Sequence, residues 1–114
     1  MPVLARVIEA AGIATVTVTM MPVLSDKYRS SRTLGVEFPF GHAFGMPDDI
    51  AMQHRVLRAA LDLLADATGP ETRVDLDEIW PQDRREAYKS WQPAEPSPIV
   101  AQSIGAIRRA QRAT

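Results

Sequence analysis

The sequence predicts an α/β fold: a small, incomplete parallel sheet of βαβ type flanked by helices, then a proline-rich C-terminal arm and a terminal helix. Three observations carry this. In residues 2–11 the apolar Val3, Leu4, Val7, Ile8 and Ala11 fall on one face of a 3.6-residue period, and Gly12 supplies a left-handed stop. Residues 15–20, TVTVTM, alternate strictly, as a strand with two unlike faces does. A long amphipathic run then covers about Asp49–Ala67 and ends at Gly69-Pro70. The initiating methionine stands where an α/β domain ordinarily carries a preceding strand and loop. The chain therefore reads as the back half of such a unit, with its expected site at that cut edge.

The elements follow in order. The first helix should bury the Val3, Leu4, Val7, Ile8 face and turn Arg6 and Glu9 away from it. A strand over Ile13–Met20 puts Val16, Val18 and Met20 on one side and Thr15, Thr17 and Thr19 on the other. A threonine face suits either an edge strand half in water or a polar seam against a partner chain. Residues 22–32 form a short polar crossover with room for one helical turn. A second strand, Thr33–Phe38, sets Leu34, Val36 and Phe38 inward, and the short crossover makes the pair parallel. This is a Rossmann/flavodoxin-like fragment with only two strands.

After a turn-rich loop, PFGHAFGMPDD, the strongest helix places Ile50, His54, Leu57, Leu61 and Leu64 on one face, widened by Val56, Ala60 and Leu63. Arg58 and Asp62 are spaced for an i, i+4 pair, and Asp48 and Asp49 suit the helix N-terminus. Residues 1–70 thus form the core. Residues 71–114 form an arm with both tryptophans, Trp80 and Trp91, and little regular structure beyond a turn or two in DRREAYKSW. From Pro98 a last amphipathic helix ends in Arg108, Arg109 and Arg112. The arm either folds back over its own domain or embraces a neighbouring subunit.

Composition sets the outer bounds. A net charge of −1 argues against a general nucleic-acid or anionic-membrane binder. The absence of cysteine excludes thiol redox chemistry, disulfides and thiolate metal sites within these residues. Arg6 and Glu9 interrupt the apolar start, and no basic n-region precedes it, so a cytoplasmic location is the expectation. Two strands and three helices leave a small core with open sheet edges, so a homo- or hetero-oligomer is expected.

His42, in the glycine-bracketed loop after the second strand, is the leading candidate for chemistry, since α/β folds bind ligands beyond the carboxyl ends of their strands. The competing reading is a histidine that only holds the loop together. Glu37, late in that strand on the face opposite Leu34 and Val36, is a candidate acid or base, or else a plain surface carboxylate. Gly41, Phe44 and Gly45 complete a loop suited to close backbone approach by a substrate or partner. His54 reads as a satisfied core or interface histidine. No spacing matches a phosphate loop, a zinc site or a nucleophile elbow, and no cofactor or metal is expected.

The stretches AGIATVTVTMMPVL, RTLGVEFPFGHAFGMPDD and QHRVLRAALDLL carry a family likeness. Ala11, Gly12, Ile13, Thr15 and Val16, then Arg32, Pro39, Gly41, Gly45 and Pro47, then Gln53, Val56, Leu57, Ala60 and Leu61 match its pattern. Over about residues 3–66 the chain resembles the C-terminal part of the glycine/sarcosine/betaine reductase component B family, which includes D-proline reductase-like proteins. The ending from Glu78-Ile-Trp-Pro is also similar to that of single-chain relatives. In that family a selenocysteine or cysteine loop lies just before the first helix, and this chain begins after that point. The resemblance therefore implies a small oxidoreductase subunit whose larger partner carries the Cys/Sec redox loop. The implied reaction is reductive cleavage alpha to a carboxyl group in a small amino-acid-like substrate. A non-catalytic interaction or regulatory protein that kept the fold is the alternative, because fold kinship does not fix reaction.

Overall fold

The computed structural model describes residues 2–29, 31–90, 94–95 and 97–112. The elements run α1 (Pro2–Ala10), β1 (Val16–Thr19), α2 (Pro22–Lys27), β2 (Arg32–Gly35), α3 (Ile50–Asp66), β3 (Arg73–Asp75), α4 (Arg84–Ser90) and α5 (Pro98–Arg112). The α/β class holds, with a small parallel sheet in the order β1-β2-β3.

The sheet has three strands where the sequence suggested two. β3 lies in the proline-rich segment, and its Arg-Val-Asp core is too short and too charged to stand out as a strand. Parallel pairing with β2 makes it one: Thr33, Leu34 and Gly35 face Arg73, Val74 and Asp75. Thr33 N–H donates to the Thr72 carbonyl at 2.8 Å, and Leu76 N–H donates to the Gly35 carbonyl at 2.8 Å. The sheet therefore runs past residue 70. Both earlier strands are shorter than their alternating patterns. Beyond β2, Val36 N–H still reaches the Thr19 carbonyl at 2.9 Å, so the chain stays extended toward Pro39 after the ladder ends.

Period-2 alternation sorts the sheet into two unlike faces. Leu34, Val36 and Phe38 are buried against Met52, Val56, Ala60 and Leu63 of α3, with Val16, Val18, Met20 and Leu76 packed around them. The opposite face carries Thr17, Thr19, Thr33, Gly35, Arg73 and Asp75, and α2 lies across it. Gly35 has a specific reason to be glycine. A Cβ there would meet the Asp75 carboxylate and come within 3.1 Å of the Pro22 side chain.

α3 uses a different face from the one its leucines suggest. The buried stripe is Met52, Val56, Ala60 and Leu63, whereas Ile50, His54, Leu57 and Leu61 are exposed. His54 is therefore a surface histidine, not a core one. Asp49 caps the helix by accepting from Met52 N–H at 2.9 Å. The Arg58–Asp62 spacing is not used for an ion pair among the described residues; Arg55 instead pairs with Glu78 across 23 positions.

α1 is rotated in the same sense. Ala5 is its buried residue, while Val3, Leu4 and Val7 are exposed, at 72%, 54% and 62%. Glu9 points inward to a polar cluster at the start of β1 and β2, accepting from Thr15 N–H, Thr15 Oγ1 and Arg32 Nη1, each at 3.0 Å. Thr15 Oγ1 also lies 2.7 Å from the Ser31 hydroxyl. A half-buried carboxylate–guanidinium contact thus orients the helix, so its most apolar stripe is left outward. Gly12 adopts φ +86° at the helix end, as a left-handed stop requires.

Candidate functional site

A cleft of about 880 Å³ opens at the carboxyl ends of the three strands. That is the position where parallel α/β sheets hold ligands, and the volume suits a small molecule. One wall is the extended segment Val36–Phe40 leaving β2. The other is Leu76–Trp80 leaving β3, continued by α4, whose Ala87 is buried.

The second wall is held by ion pairs and aromatic packing. Arg55 on α3 grips Glu78 with two hydrogen bonds, 2.9 Å from Nε and 2.6 Å from Nη2. Two residues on, Trp80 packs at 5.5 Å from Phe38 and at 5.5 Å from His42, with ring planes inclined by 51° and 33°. Arg73 donates twice to Asp75 at 2.8 Å and once to Asp26 of α2 at 2.5 Å. The hydrogen bonds from Arg55 hold the Glu78 carboxyl below its ordinary pKa, and those from Arg73 do the same for Asp75. The Arg55 and Arg73 guanidiniums are raised in return.

The sign of the acid response follows. A depressed carboxylate pKa means the Glu78 contact contributes fully above the ordinary glutamate value of ~4.3 and is lost as pH falls through the lower folded value. Trp80 emission, read in a Trp91→Phe background, is expected to change in that acid window. Glu78→Gln is expected to remove the transition. An unchanged acid profile in Glu78→Gln would show that Trp80 is not positioned by this pair.

Glu37 lines the cleft with an exposed carboxylate. Among the described residues no ion pair or side-chain hydrogen bond engages Glu37, Asp77 or Arg84, all three of which face the same space. The cleft thus offers carboxylates, one uncommitted arginine and the aromatic surfaces of Phe40, Trp80 and Tyr88. Sequence reasoning missed Asp77, Trp80, Tyr88 and Arg84 as wall residues because β3, which delivers them, went unseen.

The glycine loop divides. His42 is half-buried and is not a lining residue; it stacks on Trp80, which is. Its N–H donates to the Pro39 carbonyl at 3.1 Å and its carbonyl accepts from Gly45 N–H at 3.0 Å, so two successive turns fix the ring's place. Gly41, at φ +88°, is exposed, and Phe44 is also exposed, away from the cleft wall. Gly45 is buried at φ +113° with a would-be Cβ 3.1 Å from Met52 Cγ. Gly45→Ala is expected to cost about 1–2 kcal/mol, from the strained φ plus crowding of a core side chain. Urea denaturation measures this, and a neutral result would remove the loop from the core's support.

Among the described residues no three His, Asp or Glu side chains come together to hold a metal ion, and no helix is long and apolar enough to cross a membrane. No protein-family model, curated protein or solved structure gives a significant match to the chain.

Proposed function

We propose that the chain is a small subunit of an oxidoreductase resembling glycine/betaine/D-proline reductase component B, acting with a larger partner that carries the Cys/Sec redox loop. The observation that carries this reading is the cleft itself. It stands at the carboxyl ends of a parallel sheet and presents acids and an arginine that are unpaired among the described residues, with aromatic surfaces, in a sequence with no cysteine. Such a set matches a small ammonium carboxylate. The cationic end sits among Glu37, Asp77 and the rings, and the carboxylate meets Arg84.

In this reading Glu37 is the wall residue that holds the ammonium, which departs as the neutral amine, and acts as acid or base once the bond has broken. His42 acts through Trp80, setting the ring that closes the site. The electrons come from the partner's thiol or selenol pair, which is oxidised as the substrate bond alpha to the carboxyl is reduced. The outward face of α1 and the free edge of β1 are the surfaces available to that partner.

Titration of the Trp91→Phe chain with trimethylglycine tests the site through Trp80 emission. Saturable quenching is expected, weakened about tenfold or more by Arg84→Gln and by Glu37→Gln. No saturation by about tenfold above 1 mM, the usual upper bound of Michaelis constants, would overturn the substrate assignment. The outward α1 face would then favour the second reading, a non-catalytic interaction protein.

A further inference from the structure

α3 carries two apolar stripes, and the fold uses one. The core takes Met52, Val56, Ala60 and Leu63. Ile50, Leu57 and Leu61 remain 66%, 47% and 53% exposed, and with His54 and Leu64 they step 4-3-4-3 along the helix. That 3.5-residue spacing is the signature of a seam made for another helix. An ordinary solvent face has no reason to keep it.

α5 is a helix in need of a partner. Val100, Ile104, Ile107 and Gln111 repeat at 4-3-4, the complementary spacing, and its 15 residues include no acid. Among the described residues no sheet strand or other helix packs extensively against it, and Ile104 is 40% exposed. The radius of gyration, 17.7 Å, exceeds the ~13 Å of a compact chain of this length. The longest dimension is 52 Å.

We propose that two copies of the chain exchange arms, with α5 of each lying antiparallel along the exposed α3 seam of the other. At 1.5 Å per residue the two patterns run in step. In this register helix position 100 falls level with position 64, 104 with 61, 107 with 57 and 111 with 54. The charges agree as well. Arg108, Arg109 and Arg112 are carried toward the end of α3 that holds Asp48 and Asp49, and antiparallel macrodipoles attract. A two-fold exchange covers both faces twice with one interface type, which closes the assembly at a dimer.

The lack of native cysteine makes the test direct. Chains bearing Leu61→Cys and chains bearing Ile104→Cys, one of them tagged, are mixed and oxidised at micromolar concentration. The mixed disulfide is expected to dominate over either self-linked product by tenfold or more. Sedimentation of the native chain is expected to give twice the 12.6 kDa chain mass. Leu57→Glu, at an exposed position, is expected to give monomer with unchanged helical circular dichroism. A monomeric native chain would overturn the proposal. So would predominant Leu61→Cys self-linking, which marks an α3–α3 pairing. An intramolecular disulfide in the Leu61→Cys, Ile104→Cys double variant would overturn it too, since the arm would then cover its own helix. None of these readouts depends on ligand binding in the cleft.

Discussion

Leu34→Ala is expected to lower the folding free energy by about 3–4 kcal/mol, in the middle of the range for buried leucines. Leu34 sits in the middle strand, with no exposed surface, between β1 and β3 and beneath Met52 and Val56 of α3. The lost methyls leave a cavity bounded by strands on two sides and a helix above, none of which can collapse without breaking ladder hydrogen bonds. Against a typical total of about 5–15 kcal/mol, this is a large fraction. A urea midpoint shift at constant slope measures it. The control is Val23→Ala on α2, an exposed site where the change is expected to stay within about 0.5 kcal/mol. Equal losses at the two positions would mean that the core does not lie between this sheet face and α3.

Glu9→Ala is expected to cost about 2–3 kcal/mol, through what it leaves behind more than through what it removes. The Arg32 side chain is only 14% exposed and Glu9 24%. The Arg32 Nε is already buried with no hydrogen-bond partner, so the Glu9 carboxylate is the principal compensation for its charge. Breaking a fully buried pair costs about 3–5 kcal/mol, and partial exposure of Glu9 reduces that. Thr15 would lose its acceptor as well. The double variant Glu9→Leu, Arg32→Met should recover at least half of the loss, because neither charge then remains to be stranded. A double-mutant cycle reads the coupling, and simple additivity would refute the clamp.

Much of the layout was legible before the structure. The alternation of TVTVTM, the Gly12 stop, the acidic start of α3 and its approximate span follow from local chemistry, and local chemistry is what a sequence displays. The helix faces were not legible. α3 and α1 each carry more apolar residues than one face can bury, and the choice between stripes is made by tertiary contacts: Phe38 and Leu34 for α3, Arg32 for Glu9 of α1. β3 was invisible for a related reason. Three residues, two of them charged, become a strand only because Gly35 leaves room for Asp75 beside it. The site suffered accordingly. Glu37 was found because it follows a strand with a clear pattern. Trp80, Asp77 and Arg84 depend on a strand that pairing alone creates. His42 was singled out by its glycines, and those glycines serve turns and a close approach to Met52 while the ring braces Trp80.

The brevity of β3 also sets a hierarchy of motion. Its hold on the sheet comes down to a few backbone hydrogen bonds and the side-chain grips of Arg73 and Arg55, while the β1–β2 pair is clamped beneath α3. Segments so lightly anchored open by sub-global fluctuation well before the whole molecule unfolds. The Leu76 amide should therefore exchange with solvent deuterons faster than that of Val36, although their bonds, 2.8 Å and 2.9 Å, are alike in length. The rear wall of the cleft would then breathe against a rigid front wall, and a ligand could enter by transient release of one short strand while the core stays folded.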